Sequence, residues 1–477
     1  MTPRQTLKKY FGFENFRAGQ LEIINAILNK QDALAILHTG GGKSICFQIP
    51  GLMLDGITLV ISPLISLMKD QVDALLKKNI AATYINSSLS KEEIKKRYQH
   101  IKDKKYIFVY ISPERLQTLQ FIKVCQQIKI SLVTIDEAHC ISMWGHDFRP
   151  PYTQINDFIK KLTPRPILAA FTATATKQVR TDIIASLELN QPQVFLNSFK
   201  RSNLSFHVTP CHDSFDQELA LFIILKKHQA QAGVIYTATK KKAEYLTKLI
   251  SHYWIDKIKI KTYHAGLETK DRAQIQDQFL DNRLQIIVAT NAFGMGVDKP
   301  NVRWVIHYQV PGNIENYYQE AGRAGRDESA ADCYLLFNQM DVEIQKGFIS
   351  QAHPDQQQPL YLHRVKQLQT MITYAQIETC RQQFILHYFD EKDQTCERCD
   401  HCLHQRLSLS REDKQYAHLL SQLNSNSKEV IFTQKLILLI SVIRPLHKKE
   451  LLRIPGIGLG WLEKWYNLFH DFTKINL

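Results

Sequence analysis

The chain has 477 residues, enough for roughly two to four domains. Its composition is 44% hydrophobic, 10% aromatic and 22% charged, which excludes a wholly disordered chain and a collagen- or mucin-like polymer. Lys and Arg number 60 against 46 Asp and Glu, a net charge of +14 that hints at a polyanionic partner but also suits a merely solvated basic surface. No apolar run reaches the roughly eighteen residues of a membrane span. No signal-peptide core follows the basic start at Arg4, Lys8 and Lys9. The expectation is a cytoplasmic protein, nucleoid-associated if bacterial, with no membrane contact.

Short apolar runs at 33–37, 58–61, 107–110, 132–135 and 167–171 each end in a polar or glycine-containing corner. Stretches with helical spacing, such as 65–76 and 177–187, follow them. That alternation predicts a mostly parallel sheet covered by helices. The same pattern restarts after 199–210, with a linker expected near 200–210 and strands at 233–236, 258–263, 285–289 and 303–308. Helices are expected between them at 240–251, 270–279 and 314–321. From about Asn338 the strands stop and 360–389 reads as helical. Residues 407–413 are polar enough for a linker, and 414–477 carry helical patterns broken by the turn-rich 455–460. The domains expected are 1–203, 204–342, 343–408 and 409–477.

The segment Thr39, Gly40, Gly41, Gly42, Lys43, Ser44 follows a strand and precedes a helix. Three glycines let backbone amides curl round phosphate oxygens, Lys43 reaches the β/γ phosphates, and the Ser44 hydroxyl can take Mg²⁺. Leu37 stands where the full eight-residue pattern opens with Gly. Alone, the segment would also suit a flexible loop beside a surface lysine. Asp136 and Glu137 close the apolar run before Ala138 and His139, where open α/β sheets place ligands. Asp136 is expected to hold hydrated Mg²⁺ and Glu137 to orient and deprotonate water. Solvated acids at a helix cap are the bland alternative.

Of nine cysteines, Cys46, Cys125, Cys140, Cys211 and Cys333 are scattered, while Cys380, Cys396, Cys399 and Cys402 share one stretch. The odd total argues against a disulfide scaffold. Four close sulfurs suit a closed tetrahedral Zn²⁺ site, with an iron–sulfur cluster or unligated thiols as alternatives.

Lys43 and residues 136–139 resemble motifs I and II of superfamily 2 helicases. The aromatic-rich segment 140–150, together with 11–20, 62–71, 112–115, 171–175, 289–299 and 319–327, resembles the RecQ family of DNA helicases over about residues 5–405. Met143 and His38 depart from that pattern, standing where the family usually has Gln and Pro. The resemblance implies two tandem RecA-like parallel-sheet motor domains, a small helical zinc-binding subdomain and a winged helix. Residues 409–477 are too few for the usual further helical nucleic-acid-binding domain as well. They are expected to form a short or diverged winged helix, or a helical packing module. Residues 454–460 also resemble a hairpin between DNA-binding helices.

By resemblance, Gln20 reads the adenine edge between Phe13 and Arg17, whose planar groups suit stacking. Arg326 is the arginine finger and Arg323 a second phosphate contact. Trp144, Phe148 and Arg149, read as an exposed loop suited to base stacking, sense single-stranded DNA with His139 and His146 in the same coupling network. Backbone contacts are expected from Ser62, Asn86, Ser87, Ser112 and Arg115 in the first motor domain and Thr237, His264, Thr290 and Asn291 in the second. Each of these is individually as consistent with a turn or cap role. The implied function is an ATP- and Mg²⁺-dependent, Zn²⁺-containing DNA helicase of 3′ to 5′ polarity, acting in repair and recombination. It would act as a monomer on single-stranded and partly duplex DNA, with single-stranded-DNA-binding or repair proteins as possible partners. An RNA helicase or nucleic-acid remodeller, or an inactive scaffold, are the alternatives.

Overall fold

A computed structural model describes residues 1–477 except 39, 255–257, 295–298, 393, 426–429, 446 and 477, and except the side chains of 66 and 472–476. Thr39 and part of the segment 289–299 therefore lie outside the described residues.

The first domain is built on strands β1 (Ala33–Ile36), β2 (Ile57–Ile61), β3 (Ala82–Ile85), β4 (Phe108–Ile111), β5 (Ile130–Ile135), β6 (Ile167–Thr172) and β7 (Gln193–Leu196). They pair in the order β3-β4-β2-β5-β6-β1-β7, every pair parallel. Their central members are apolar on both faces because helices cover both, as a parallel sheet requires. The second domain carries β8 (Leu204–Pro210), β9 (Gly233–Tyr236), β10 (Ile260–Tyr263), β11 (Ile286–Ala289), β12 (Trp304–His307) and β13 (Ala331–Phe337), ordered β10-β11-β9-β12-β13-β8 and again all parallel.

The linker expected near 200–210 is corrected by this topology. Residues 204–210 form β8, which pairs with β13 along its whole length. Its alternating burial is that of an edge strand, so Ser205, His207 and Thr209 made it look like a loop.

Beyond β13 the chain is helical. Helices Gln339–Ala352 and Pro359–Gln376 precede the four cysteines, and the helix Arg381–Tyr388, capped by Cys380, runs between the first cysteine and the other three. This small subdomain ties into both motors. Phe389 stacks on Phe199 at 4.2 Å between ring centroids, Glu391 Oε2 accepts from Phe199 N (2.8 Å), and Asp400 Oδ2 accepts from Val208 N (2.8 Å).

Residues 409–477 form helices Arg411–Ser425, Gln434–Ile443, Lys448–Leu451 and Leu459–Asn476, with no strand among the described residues. A winged helix needs a β-hairpin wing, so these residues fit the helical alternative. They pack on the second domain, Tyr416 and Leu420 sharing a core with Leu221 and Trp254, and Lys435 pairing with Asp213 at 2.9 Å. Residues 454–458 turn between the last two helices, with Gly456 in the left-handed region (φ +89). No helix among the described residues is long and apolar enough to cross a membrane.

Candidate functional site

Parallel strands bring their C-terminal ends to one edge, and the residues singled out in the sequence sit there. The phosphate loop follows β1 and the Asp136–Glu137 turn follows β5. Between these strands lies β6, which ends at Thr172. One cleft of about 680 Å³ is lined by Phe13, Arg17, Gln20, Gly40, Gly42, Lys43, Ser44, Asp136, Glu137 and, from the second domain, Arg326.

Lys43 opens the helix Lys43–Met53 behind Gly42, which has φ +75. Ser44 Oγ accepts from Gln71 Nε2 (3.3 Å), and Tyr110 Oη in turn donates to Gln71 Oε1 (2.8 Å). Gln71 is therefore a positioning residue that the sequence reading did not assign. Arg17 Nη1 donates to Gly40 O, and Gln20 Nε2 donates to Gly42 O (3.1 Å) and lies 3.3 Å from Gly41 O. Gln20 Oε1 accepts from Arg17 N at 2.9 Å. The carboxamide expected to read adenine is thus bound to the phosphate loop. Phe13 is 58% exposed at the cleft mouth. His38 lies half-buried beside the loop, its pKa pushed down to about 4 by burial and then by Arg201, Lys43 and Arg17.

Asp136 is buried beside Glu137, which is held in the left-handed region at φ +48. A non-glycine residue there is strained, a feature that clusters at functional sites. Burial and then the Glu137 charge push Asp136 up to about 7, against the opposing pull of Lys43. Thr172 Oγ1 donates to Thr174 O (3.1 Å), so it accepts from His139 Nδ1–H (2.8 Å). Glu137 Oε2, 3.3 Å from that same nitrogen, has no hydrogen-bond partner of its own among the described residues. His139 is neutral, its pKa pushed down to about 3 by burial first and Lys43 second. Two adjacent buried carboxyls in the same cleft as the Ser44 hydroxyl fit a hard divalent cation on Ser44 and Asp136.

The two arginines separate. Arg326 lies over Gly40, whereas Arg323 lines a second crevice between the domains with His146, Asp147, Arg149, Asn291 and Glu320. The backbone of their segment is held by two residues the sequence reading missed. Arg201 Nη2 donates to Ala324 O (3.1 Å) and Gly325 O (2.9 Å), and Asn203 Nδ2 donates to Gly325 O (2.8 Å). Nothing in local spacing marks them.

The aromatic-rich segment is more enclosed than expected. Trp144 and Phe148 are half-buried, and Trp144 meets the His363 ring edge-on at 5.1 Å. His146 stacks on His139 at 4.1 Å, and its pKa is pushed down to about 3, first by burial. Arg149 is taken up by Asp147 (Nη2–Oδ2 2.9 Å) and Pro63 O (3.3 Å), which makes it a tether of the loop rather than an open base contact. Met143 is exposed.

The backbone-contact candidates all lie at strand ends, but they differ in access. Ser87 and Asn291 are exposed and Arg115 is half-buried, while Ser62, Asn86, Ser112, Thr237, His264 and Thr290 are buried. Asn86 Oδ1 accepts from Ser88 N and Oγ, the Thr237 hydroxyl donates to Thr239 O, and His264 pairs with Glu244 at 3.1 Å. Asn86 and Thr237 thus serve their own turns, and His264 is tied to the helix Lys240–Tyr253.

Cys380, Cys396, Cys399 and Cys402 place their Sγ atoms within 4.8 Å of one another, Cys396 and Cys402 at 4.0 Å. A tetrahedral zinc with Zn–S of about 2.3 Å needs sulfurs about 3.8 Å apart, so the set fits. Backbone N–H groups of Cys396, Cys399 and Cys402 point at the sulfurs of Cys380, Cys396 and Cys399 (3.2, 3.3 and 3.5 Å). The hydrogen bond from Cys396, and then the Cys402 N–H, pull the Cys399 thiol below its ordinary range despite its burial.

Tandem parallel-sheet domains with a phosphate loop in one, an arginine from the other over it, and an acidic pair between define a nucleotide-dependent motor of helicase superfamily 2. Residues 17–182 match the DEAD/DEAH box helicase family, 214–328 the helicase conserved C-terminal domain, and 339–403 the RecQ zinc-binding family. The chain is 45% identical to the ATP-dependent DNA helicase RecQ of Bacillus subtilis over 398 residues, covering 83% of this chain and 66% of that one. It is 44% identical to the probable ATP-dependent DNA helicase RecS of the same organism, covering 72% of this chain and 69% of that one. The chain belongs to the RecQ family of helicases. It spans just under two thirds of the length of the B. subtilis RecQ protein. The fold is shared with the Mycobacterium smegmatis helicase Lhr bound to ssDNA and AMP-PNP (TM-score 0.58, 15% identity, 87% of this chain and 52% of that one).

Proposed function

We propose that this chain is an ATP-dependent DNA helicase that moves 3′ to 5′ on single-stranded DNA and unwinds duplex in repair and recombination. The observation that carries the reading is Arg326 lying over Gly40, in the same cleft as Lys43, Asp136 and Glu137. Charge grows on the transferred phosphoryl group, and an arginine supplied across a domain boundary neutralises it only while the cleft is closed. Hydrolysis is thereby tied to domain movement.

Each residue then has a part. Phe13 and Arg17 flank adenine and Gln20 reads its edge; because Gln20 also bonds to the loop carbonyls, base selection is felt at the phosphate site. Lys43 meets the β/γ phosphates, and Ser44 and Asp136 hold Mg²⁺, which when bound offsets phosphate charge. Glu137, with its unpartnered oxygen, orients and deprotonates the attacking water. Arg323, in the second crevice beside His146 and Asp147, ties the arginine segment to the aromatic-rich loop. Trp144 in that loop senses a base and reports it to Glu137 through His146 and His139. Ser87, Arg115 and Asn291 supply accessible contacts to the sugar–phosphate backbone.

Strand displacement on 3′-tailed, 5′-tailed and blunt duplexes, with and without ATP, tests the proposal. The 3′-tailed duplex alone should open, and only with ATP. DNA should stimulate ATP hydrolysis more than RNA of the same sequence. Opening from the 5′ tail, or stronger stimulation by RNA, would overturn it.

A further inference from the structure

Trp144 and Gly145 are held from outside their own domain. His363 Nε2–H donates to Trp144 O (3.2 Å), and Arg364 Nη2 donates to Gly145 O (2.9 Å). Both donors sit on the helix Pro359–Gln376, which precedes the zinc-ligand cysteines. Gly145 has no room for a side chain, since a Cβ there would collide with His139 O. The loop's backbone therefore lies tight against His139 O on one side and is bonded by Arg364 on the other.

The contacts continue from Arg364. Its Nη1 donates to Gln367 Oε1 (2.9 Å), and Gln367 Nε2 donates to Glu315 Oε1 (3.4 Å), which also accepts from Tyr388 Oη (2.6 Å). Gln367 and Glu315 are buried. Glu315 lies in the first turn of the helix Ile314–Ala321, whose far end runs directly into Arg323 and Arg326. A hydrogen-bonded chain thus runs from the loop of the first domain, through the zinc subdomain, to the start of the second-domain helix that leads into the arginines. The planar fork of an arginine can bond to Gly145 O and Gln367 Oε1 together; a lysine offers one nitrogen and loses that geometry.

We propose that Arg364 is a positioning residue that couples the Trp144 loop to the arginine segment, so that the zinc subdomain transmits DNA occupancy to ATP hydrolysis. This rests on the reading of Trp144 as the DNA sensor. A loop displaced by a stacked base pulls on Arg364. Because Gln367 and Glu315 are buried and mutually bonded, the displacement is passed to the helix carrying the arginines rather than dissipated in solvent.

The test compares Arg364→Ala, Trp144→Ala, the double variant and wild type in ATPase rate against oligo-dT concentration at saturating ATP, with zinc content measured on each. Arg364→Ala should keep full zinc and a DNA-free rate within about twofold of wild type. Its DNA-saturated plateau should fall about tenfold or more, and the double variant should lose no more than Trp144→Ala alone, the sign of one shared path. If Arg364→Ala loses zinc, Arg364→Lys with full zinc carries the test, with a plateau below wild type. A wild-type plateau in the zinc-replete Arg364 variant beside a defective Trp144→Ala overturns the relay alone, as do losses that multiply in the double variant. A wild-type plateau in Trp144→Ala overturns the sensor reading itself, and the relay with it.

Discussion

Arg326 of the second domain lies over Gly40 of the first, close enough that a Cβ on Gly40 would stand 3.5 Å from Arg326 Cγ. Arg323, three residues earlier, lines a different crevice. The two arginines therefore line different clefts.

Arg326→Ala should lower kcat for ATP by about 10³-fold or more, the range measured when an arginine finger is removed. The KM should change far less. Arg323→Ala should instead reduce DNA stimulation while leaving single-turnover hydrolysis without DNA closer to wild type. Equal losses in both steady-state and single-turnover assays would erase the distinction.

The buried Asp136 gives a pH signature. Its folded pKa, about 7, lies above the ordinary 3.8, so the neutral form is the one that folding favours. Without divalent cation the stability it contributes is full below about pH 4 and lost as pH rises through about 7, at no more than about 1.4 kcal/mol per pH unit. A bound cation favours the ionised form and reverses that loss. The Tm increase on adding Mg²⁺ should be larger at about pH 8 than at about pH 5.5. Asp136→Asn should flatten the difference, and an unchanged difference in that variant would assign it elsewhere.

Glu137→Gln keeps Asp136 and Ser44, and should bind Mg²⁺-ATP near wild-type affinity while turnover falls at least about a hundredfold, the scale of a lost general base. Nucleotide binding by fluorescence titration, beside steady-state turnover, separates the two effects. Parallel loss of both would point to the metal or to folding.

Gly42 is at φ +75, and a Cβ there would collide with Gln20 Nε2. Gly42→Ala should cost about 1–2 kcal/mol of backbone strain and break the Gln20 bonds to the loop. A raised KM for ATP and weaker discrimination of ATP from GTP are expected in competition kinetics.

Cys399→Ser should lower zinc content and expose residues 359–405 to protease, oxygen being the poorer soft-metal ligand. Since Phe389 stacks on Phe199 and Asp400 caps Val208 N, the loss should reach the domain junction. DNA-stimulated turnover is expected to fall further than DNA-free turnover. Full zinc by metal analysis would remove Cys399 from the ligand set.

The sequence by itself determined the two parallel sheets, because buried parallel strands are continuous apolar runs and their ends carry the polar corners. Gly233–Tyr236 and the helix Ile65–Leu76 fall where periodicity placed them. It also determined the phosphate loop, the acidic pair and the cysteine set, since each is local in the chain. What only the tertiary structure decided is long-range. β8 was hidden because an edge strand alternates like a loop. The tail's helices show no wing among the described residues. Arg201 and Asn203 became supports of the arginine segment, more than a hundred residues away along the chain. Arg323 and Arg326 look alike in sequence and diverge only because one end of a helix faces two clefts. Trp144 reads as exposed until the helix Pro359–Gln376 folds against it. The physical reason is common to all of these. Local pattern records which face of an element is apolar, whereas the partner of a polar side chain depends on which distant backbone the fold brings beside it.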